Sequence, residues 1–291
     1  MNILIIGGTR FFGIHTVEAL LSKGHQVTIA TRGLAPDSFG DRVSRILFDR
    51  ENFESIRKAF KDKHFDVVID KIAYCSNHVR DLLEVIHCEK YILMSSTAVY
   101  QPLHPNTTER DFSPLATEVI WCSRDDFPYD TVKRHAEYAL WQKYSDIPAI
   151  AVRYPYVIGN DDYTYRLLFY IEHTLKGIPM YIDNLSSQMG FINSSDAGKF
   201  MAFLVNTSFT GGINGCCTGT ISIQEILDYV ESKTGKRAIL SPNGDAAPYN
   251  GTPDYSIDTA QASALGYEFS SLKDWIFDLI DNYITAFSTH S

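Results

Sequence analysis

Tyr129 and Lys133 stand four residues apart in "FPYDTVKRHAEYAL", a spacing that puts both on one face of a helix, one turn from each other. A lysine ammonium beside a phenol favours the phenolate and lowers its pKa toward the working range, which is what a tyrosine acid/base needs. Upstream, "MSSTAVY" closes a β-rich run and leaves Ser95, Ser96 and Thr97 at its carboxyl end. A hydroxyl there either hydrogen-bonds a substrate oxygen or serves the turn that follows. The stretch "IGGTRFFG" (Ile6 to Gly13) adds a phosphate cradle. Gly7 and Gly8 let the backbone turn sharply, and Gly13 lets the next helix pack closely. Thr9, Arg10, Phe11 and Phe12 complete a loop whose helix N-terminus offers N–H groups to a pyrophosphate. Arg10 occupies the place where a third glycine often sits. The acidic residue that usually binds an adenosine ribose after the second strand is replaced by "TRG". Arg32 and Arg10 therefore either clamp a 2′-phosphate or are solvated surface arginines. Asp49 in "LFDR" is placed to accept from an adenine amino group or to cap a turn.

These groups need strands that end beside one another. Short β-rich runs alternate with helical stretches: "NILIIG", a helix near 14–22, "QVTIAT", "RILFD", a helix across 53–60, "DVVID", a helix near 77–87, "KYILMSS", a helix from about 129 to 144, and "AIAVRYPYVIG". This is the βαβ rhythm of a parallel sheet. The fold class expected is α/β: a Rossmann-like, doubly wound parallel sheet of six strands over residues 1–159. Residues 160–291 form a smaller α/β substrate lobe, interwoven with the sheet as one structural unit. Its elements are helices near 165–176, 196–205, 223–234 and 272–287, and short strands near "PMYI" and "GFIN". Ligands in such folds sit at the carboxyl ends of the strands, so the crevice between sheet and lobe is the expected site.

With 291 residues, 45% of them hydrophobic, the chain can bury a sizeable core. The net charge of −9 speaks against a nucleic-acid backbone as the main partner. The charge is uneven: 19 basic and 20 acidic residues lie in 1–153, against 7 and 15 in 154–291. Apolar runs such as "IPAIAV" fall far short of a bilayer span, and the chain starts directly in a strand, so no membrane and a cytoplasmic location are expected. The five cysteines have no metal-ligand spacing, and no metal is expected; they read as reduced, packed thiols, with vicinal Cys216 and Cys217 as a redox alternative.

The ordered motifs "GGTRFFG", "MSSTAVYQ", "YDTVK" and "RYPYVIG" resemble the extended or atypical short-chain dehydrogenase/reductase superfamily, in its NAD-dependent epimerase/dehydratase group, and most closely the branch that opens with "GGTRF". The lobe segments "GFINSSDAGKFM" and "SIDTAQASALGY" are similar to that group as well. The resemblance implies catalytic roles for three residues: Tyr129 as acid/base, Lys133 binding the nicotinamide ribose and lowering that tyrosine's pKa, and Ser96 orienting the substrate oxygen. It implies NADP or NAD as cofactor, with NADP favoured by the two arginines, and puts Ala73 and Tyr154 on the cofactor wall. The reaction implied is hydride transfer at a carbinol or carbonyl carbon of a sugar or nucleotide-sugar. Reduction of a small non-nucleotide carbonyl compound is an alternative, as is a non-catalytic dinucleotide sensor. RNA binding is a third, because chloroplast stem-loop RNA-binding proteins share the "GGTRF" opening.

Members that eliminate water from a sugar carry an Asp-Glu pair after the strand-five hydroxyl; here Thr97 and Ala98 stand there, which disfavours a dehydratase. Nucleotide-sugar members resemble one another in a lobe arginine that meets the diphosphate. Met189 takes its place, leaving Arg166 or Lys176 to serve. The segment 101–127 separates Ser96 from Tyr129 by 33 positions and reads as a substrate lid holding Trp121 and Arg124, or as an inert excursion or dimer contact. Tyr138, Leu140 and Trp141 on the Tyr129 helix belong either to a homodimer contact or to the core.

Overall fold

The computed structural model describes residues 1–288. The run NILII forms β1 (Asn2–Ile6), whose side chains alternate between two apolar layers: Ile3 and Ile5 on one face, Leu4 and Ile6 on the other. Burial on both faces is why the run reads as continuously apolar. Next come α1 (Phe12–Ser22), β2 (Gln26–Thr31), β3 (Ser44–Leu47), α2 (Phe53–Phe60), β4 (His64–Asp70), α3 (Ser76–Leu83), β5 (His87–Ser96), α4 (Tyr129–Lys143) and β6 (Ala149–Tyr154). They are followed by β7 (Tyr156–Ile158), α5 (Arg166–Lys176), β8 (Met180–Tyr181), β9 (Phe191–Asn193), α6 (Ser194–Leu204), β10 (Gly211–Asn214), α7 (Ile223–Thr234), β11 (Asp245–Ala246), α8 (Ala260–Ala264) and α9 (Ile276–Ser288).

The central sheet is parallel, in the order β10-β6-β5-β4-β1-β2-β3. Side chains of α1 and α6 pack on one face and those of α2, α3 and α4 on the other, which is the Rossmann-like architecture expected. Strand order reverses between β1 and β4, so their carboxyl ends flank a ligand crevice. Two details differ from the sequence reading. A seventh strand, β10, pairs with β6 from beyond residue 210; its sequence, GGIN, has no apolar run to announce it. The stretch 149–159 is two strands, because Pro155 lacks the N–H that a continuous ladder needs, and β7 instead pairs with β9.

The α4 positions that suggested a subunit contact are covered within the chain. Tyr138 and Leu140 are buried and Trp141 is half-buried, with Phe112 stacked on Tyr138 at 5.6 Å. Cys216 and Cys217 are buried free thiols, and burial pushes the Cys217 thiol up to about 11, so the redox alternative has no thiolate to work with at neutral pH. Among the described residues no helix is long and apolar enough to cross a membrane.

Helices α1 and α6 cross at Gly198, where a Cβ would lie 2.4 Å from the Cβ of His15 and 2.7 Å from the Phe12 carbonyl oxygen. Gly198→Ala must push the helices apart, at a cost of about 1–3 kcal/mol. A urea titration should show a lower midpoint at unchanged slope; an unmoved midpoint would mean the helices are not this close.

Candidate functional site

The loop after β1 turns on Gly7, whose φ of 81° is the left-handed conformation that glycine tolerates best. The other positive φ in the loop, 55°, falls on Phe11 and not on Arg10, which explains why an arginine is accepted where a glycine often stands. Helix α1 begins at Phe12 with no side-chain cap and no acidic residue in its first turn, leaving its N-terminal dipole open to an anion. Arg10 and Arg32 are both exposed, and neither pairs with a carboxylate among the described residues. They line one groove of about 750 Å³ together with Gly7, Thr9, Asp49 and Tyr74. Asp49 caps a turn, accepting from the Glu51 N–H at 3.1 Å, while also facing this groove.

Three residues of the groove were missed in the sequence. Lys71, the residue after β4, donates to the Arg10 carbonyl at 2.9 Å and lies 3.9 Å from the Phe12 ring centroid. Burial brings its pKa down to about 7, against the pull of Asp161. Arg50 is buried and donates to Asp70, which also accepts from the Tyr91 hydroxyl at 2.8 Å. Tyr74 lies edge-on to Tyr129 at 6.4 Å, with the Arg124 guanidinium 4.1 Å from its ring centroid. A lysine directly after β4 and an arginine three residues beyond β3 were the available signals.

Tyr129 opens α4 and faces a second cavity of about 440 Å³, whose lining includes Ser96, Thr97, Phe11, Phe12 and Tyr154. Ser96 lines the same cavity as the phenol and accepts from the Ala98 N–H at 3.2 Å. Its neighbour Ser95 is committed elsewhere, donating to Glu137 at 2.5 Å. Lys133 is fully buried; its Nζ donates to the carbonyls of Ala73 and Met94, both at 2.9 Å, and lies 5.9 Å from the Tyr129 ring centroid and 4.8 Å from that of Tyr74. Burial brings its pKa down to about 8, with Asp70 and Glu137 pulling upward. The tyrosine departs from the sequence expectation. Although 48% exposed, its phenol is pushed above the ordinary value because the cleft walls disfavour a phenolate, while Ser96, Arg166 and Arg124 pull it down.

Ala73, Gly8 and Gly13 line neither cavity: Ala73 is fully buried and contributes its carbonyl to Lys133. Tyr154 is anchored through its hydroxyl to the Ala197 carbonyl at 2.7 Å. The two cavities meet at Tyr163, which lines both and touches Phe11 edge-on at 5.9 Å. The segment 101–127 borders both cavities, Leu103 lining the second and Ser123, Arg124 and Asp125 the groove, and it is fastened at two points. Thr107 is hydrogen-bonded to Ser256 and Asp258, and Cys122 to Ser76. Arg124 faces the dinucleotide-type groove, and Trp121 stacks with Arg80 outside it.

A sequence model of the NAD dependent epimerase/dehydratase family matches residues 3–215. Among curated proteins, the chloroplast stem-loop binding protein of 41 kDa b from Arabidopsis thaliana is 37% identical over 113 residues, an alignment spanning 34% of this chain and only 30% of that protein. A UDP-glucose 4-epimerase from Thermotoga maritima, solved with UDP-glucose, superposes with a TM-score of 0.76 at 17% identity, covering 99% of this chain and 100% of that one. A UDP-glucuronic acid 4-epimerase from Bacillus cereus, solved with NAD, gives 0.71 at 21% identity, with 96% of each chain covered. At these identities the likeness is one of fold.

Proposed function

The chain belongs to the NAD dependent epimerase/dehydratase family, an enzyme family, and on that premise we propose that it oxidises or epimerises a sugar carbinol with Tyr129 as acid/base. One observation carries this reading: Ser96 and Tyr129 line one cavity, with the buried Lys133 ammonium 5.9 Å from the tyrosine ring centroid, at the strand ends beside the glycine cradle. The groove fits a nicotinamide dinucleotide, since Gly7 supplies the turn, α1 an uncapped N-terminus, and Arg10 and Arg32 unpaired guanidinium groups. When bound, such a cofactor supplies the hydride acceptor and donor. The chain's own residues handle the proton. Ser96 orients the substrate oxygen; Tyr129 takes the hydroxyl proton as the carbinol is oxidised and returns it on reduction. Lys133, held by two carbonyls, keeps a positive charge behind the phenol. Tyr154 and Phe12 close the cleft beside it.

NADP is the favoured dinucleotide in this reading, because the two unpaired arginines share the adenosine end with Asp49. Arg32→Ala should weaken NADP⁺ binding by roughly ten- to hundred-fold, the size of a charged hydrogen bond, and leave NAD⁺ within about two-fold. Calorimetry checks this; equal affinities in the parent protein would remove the phosphate clamp.

The stem-loop binding relative supports a second reading, RNA binding. Against it, Arg10, Arg32 and Arg124 are interleaved with Asp49, Glu51 and Asp125, while the groove's other cations, Arg50 and Lys71, are held by Asp70 and the Arg10 carbonyl, so the groove is no continuous basic stripe. A salt-sensitive gel shift would be its signature.

A further inference from the structure

Among the described residues lining the cleft that holds Ser96 and Tyr129, Arg166 alone is charged. It is the first residue of α5, is exposed, and pairs with no carboxylate among the described residues; its guanidinium lies 5.7 Å from the Tyr156 ring centroid. Asp162, four residues earlier, is buried with one oxygen bound to Thr164; burial pushes its carboxyl up, while the Thr164 bonds and the Arg166 charge pull it down. Arg166 is close enough to the reacting end for its charge to pull the Tyr129 phenol down.

The other candidates for a diphosphate are spent. Lys176 sits at the far end of α5, paired with Glu172 at 2.5 Å, and lines neither cavity. Met189, where a lobe arginine was expected, is 1% exposed and exchanges two backbone hydrogen bonds with Ile221 at 3.1 Å, so its side chain faces the core. A nucleoside diphosphate brings two separate phosphate groups into a cleft with one guanidinium among the described residues, whereas a single carboxylate or phosphate monoester is matched by one guanidinium fork.

Resting on the sugar-oxidation reading above, we propose that the substrate carries a single anionic group, a carboxylate or a phosphate monoester, which Arg166 binds while the reacting carbinol lies at Ser96 and Tyr129. Aromatic walls from Tyr156 and Tyr255 and the apolar Leu103 hold the carbon skeleton between these two poles.

The test is calorimetric titration of the NADP⁺-loaded protein with glucuronate, glucose 6-phosphate, glucose and UDP-glucose, in the parent and in Arg166→Met and Arg166→Lys. The expected result is that glucuronate or glucose 6-phosphate binds at least about ten-fold more tightly than glucose and no less tightly than UDP-glucose. Arg166→Met should erase that preference and Arg166→Lys keep part of it. Which of the two anions wins identifies the carboxylate or the phosphate. UDP-glucose binding tightest, Arg166→Met binding the anions as the parent does, or neither anionic sugar outbinding glucose would each overturn the proposal. NADP⁺ and NAD⁺ are titrated first in the same proteins: failure of the parent to bind either sinks the dinucleotide reading, whereas dinucleotide binding without anion preference sinks only the role of Arg166.

Discussion

Tyr129→Phe should cut turnover by roughly 10²- to 10⁴-fold, the usual worth of a positioned acid/base, and leave dinucleotide affinity within about two-fold. The substitution removes only the hydroxyl; the ring keeps its edge-on contact with Tyr74 and its place over Lys133. Because burial raises the phenol's pKa, the protonated form dominates at neutral pH. The oxidation direction needs the phenolate, so its rate should climb as pH rises above 7, while any residual rate of the variant stays flat. The reduction direction, which needs the phenol, should not show that climb. Steady-state kinetics in both directions reads this out. A variant that turns over like the parent would remove Tyr129 from the chemistry, and a pH profile unchanged in a slowed variant would assign the titration to another group.

Arg153→Met should destabilise the protein by about 3–5 kcal/mol, the cost of leaving a buried charge without its partner. Arg153 in β6 and Glu137 in α4 are 1% and 0% exposed and share two hydrogen bonds, at 2.7 and 3.0 Å. The arginine also donates to the Tyr100 hydroxyl at 3.0 Å, and that hydroxyl donates to Asn214 of β10 at 2.6 Å. One guanidinium thus joins α4, the segment after β5 and the seventh strand. Replacing both partners, Glu137→Leu with Arg153→Met, should recover much of the loss, because an apolar pair strands no charge. Denaturant midpoints decide between the outcomes. A single variant within about 0.5 kcal/mol of the parent would mean that Glu137 finds compensation from Ser95 alone.

The sheet was legible in the sequence for a physical reason: strands buried on both faces need a largely apolar centre, and ILII, VVI, YILM and AIAV are such stretches. Strand β3 differs: SRIL is exposed apart from half-buried Ile46, and it was found through Ile46, Leu47 and the Phe48 that follows. The placement of the glycine loop after β1, of Ser96 at the end of β5 and of Tyr129 and Lys133 in the first turns of α4 was legible, because local spacing fixes position near a strand or helix end. Lys71, Arg50 and Tyr74 were not. Their roles depend on β3 and β4 ending beside the β1 loop, which no local spacing encodes. The direction of the Tyr129 shift was misjudged for a related reason: a lysine four residues away is visible in the sequence, whereas the walls that desolvate the phenol come from β5, β6 and the lobe. Arg124 was placed over the wrong cavity because loop length does not specify where a loop is fastened.

The late position of β10 has a consequence for biosynthesis. On a translating ribosome, β1 to β6 emerge well before Gly211–Asn214 exists, so β6 is at first an open edge, with Arg153 lacking its cover. Gly212 later comes so near that a Cβ there would lie 2.6 Å from the guanidinium carbon. Until then the nascent chain displays unpaired strand amides and carbonyls that invite other chains to pair. Truncations ending between β6 and β10 therefore inherit an adhesive edge that the finished protein never shows.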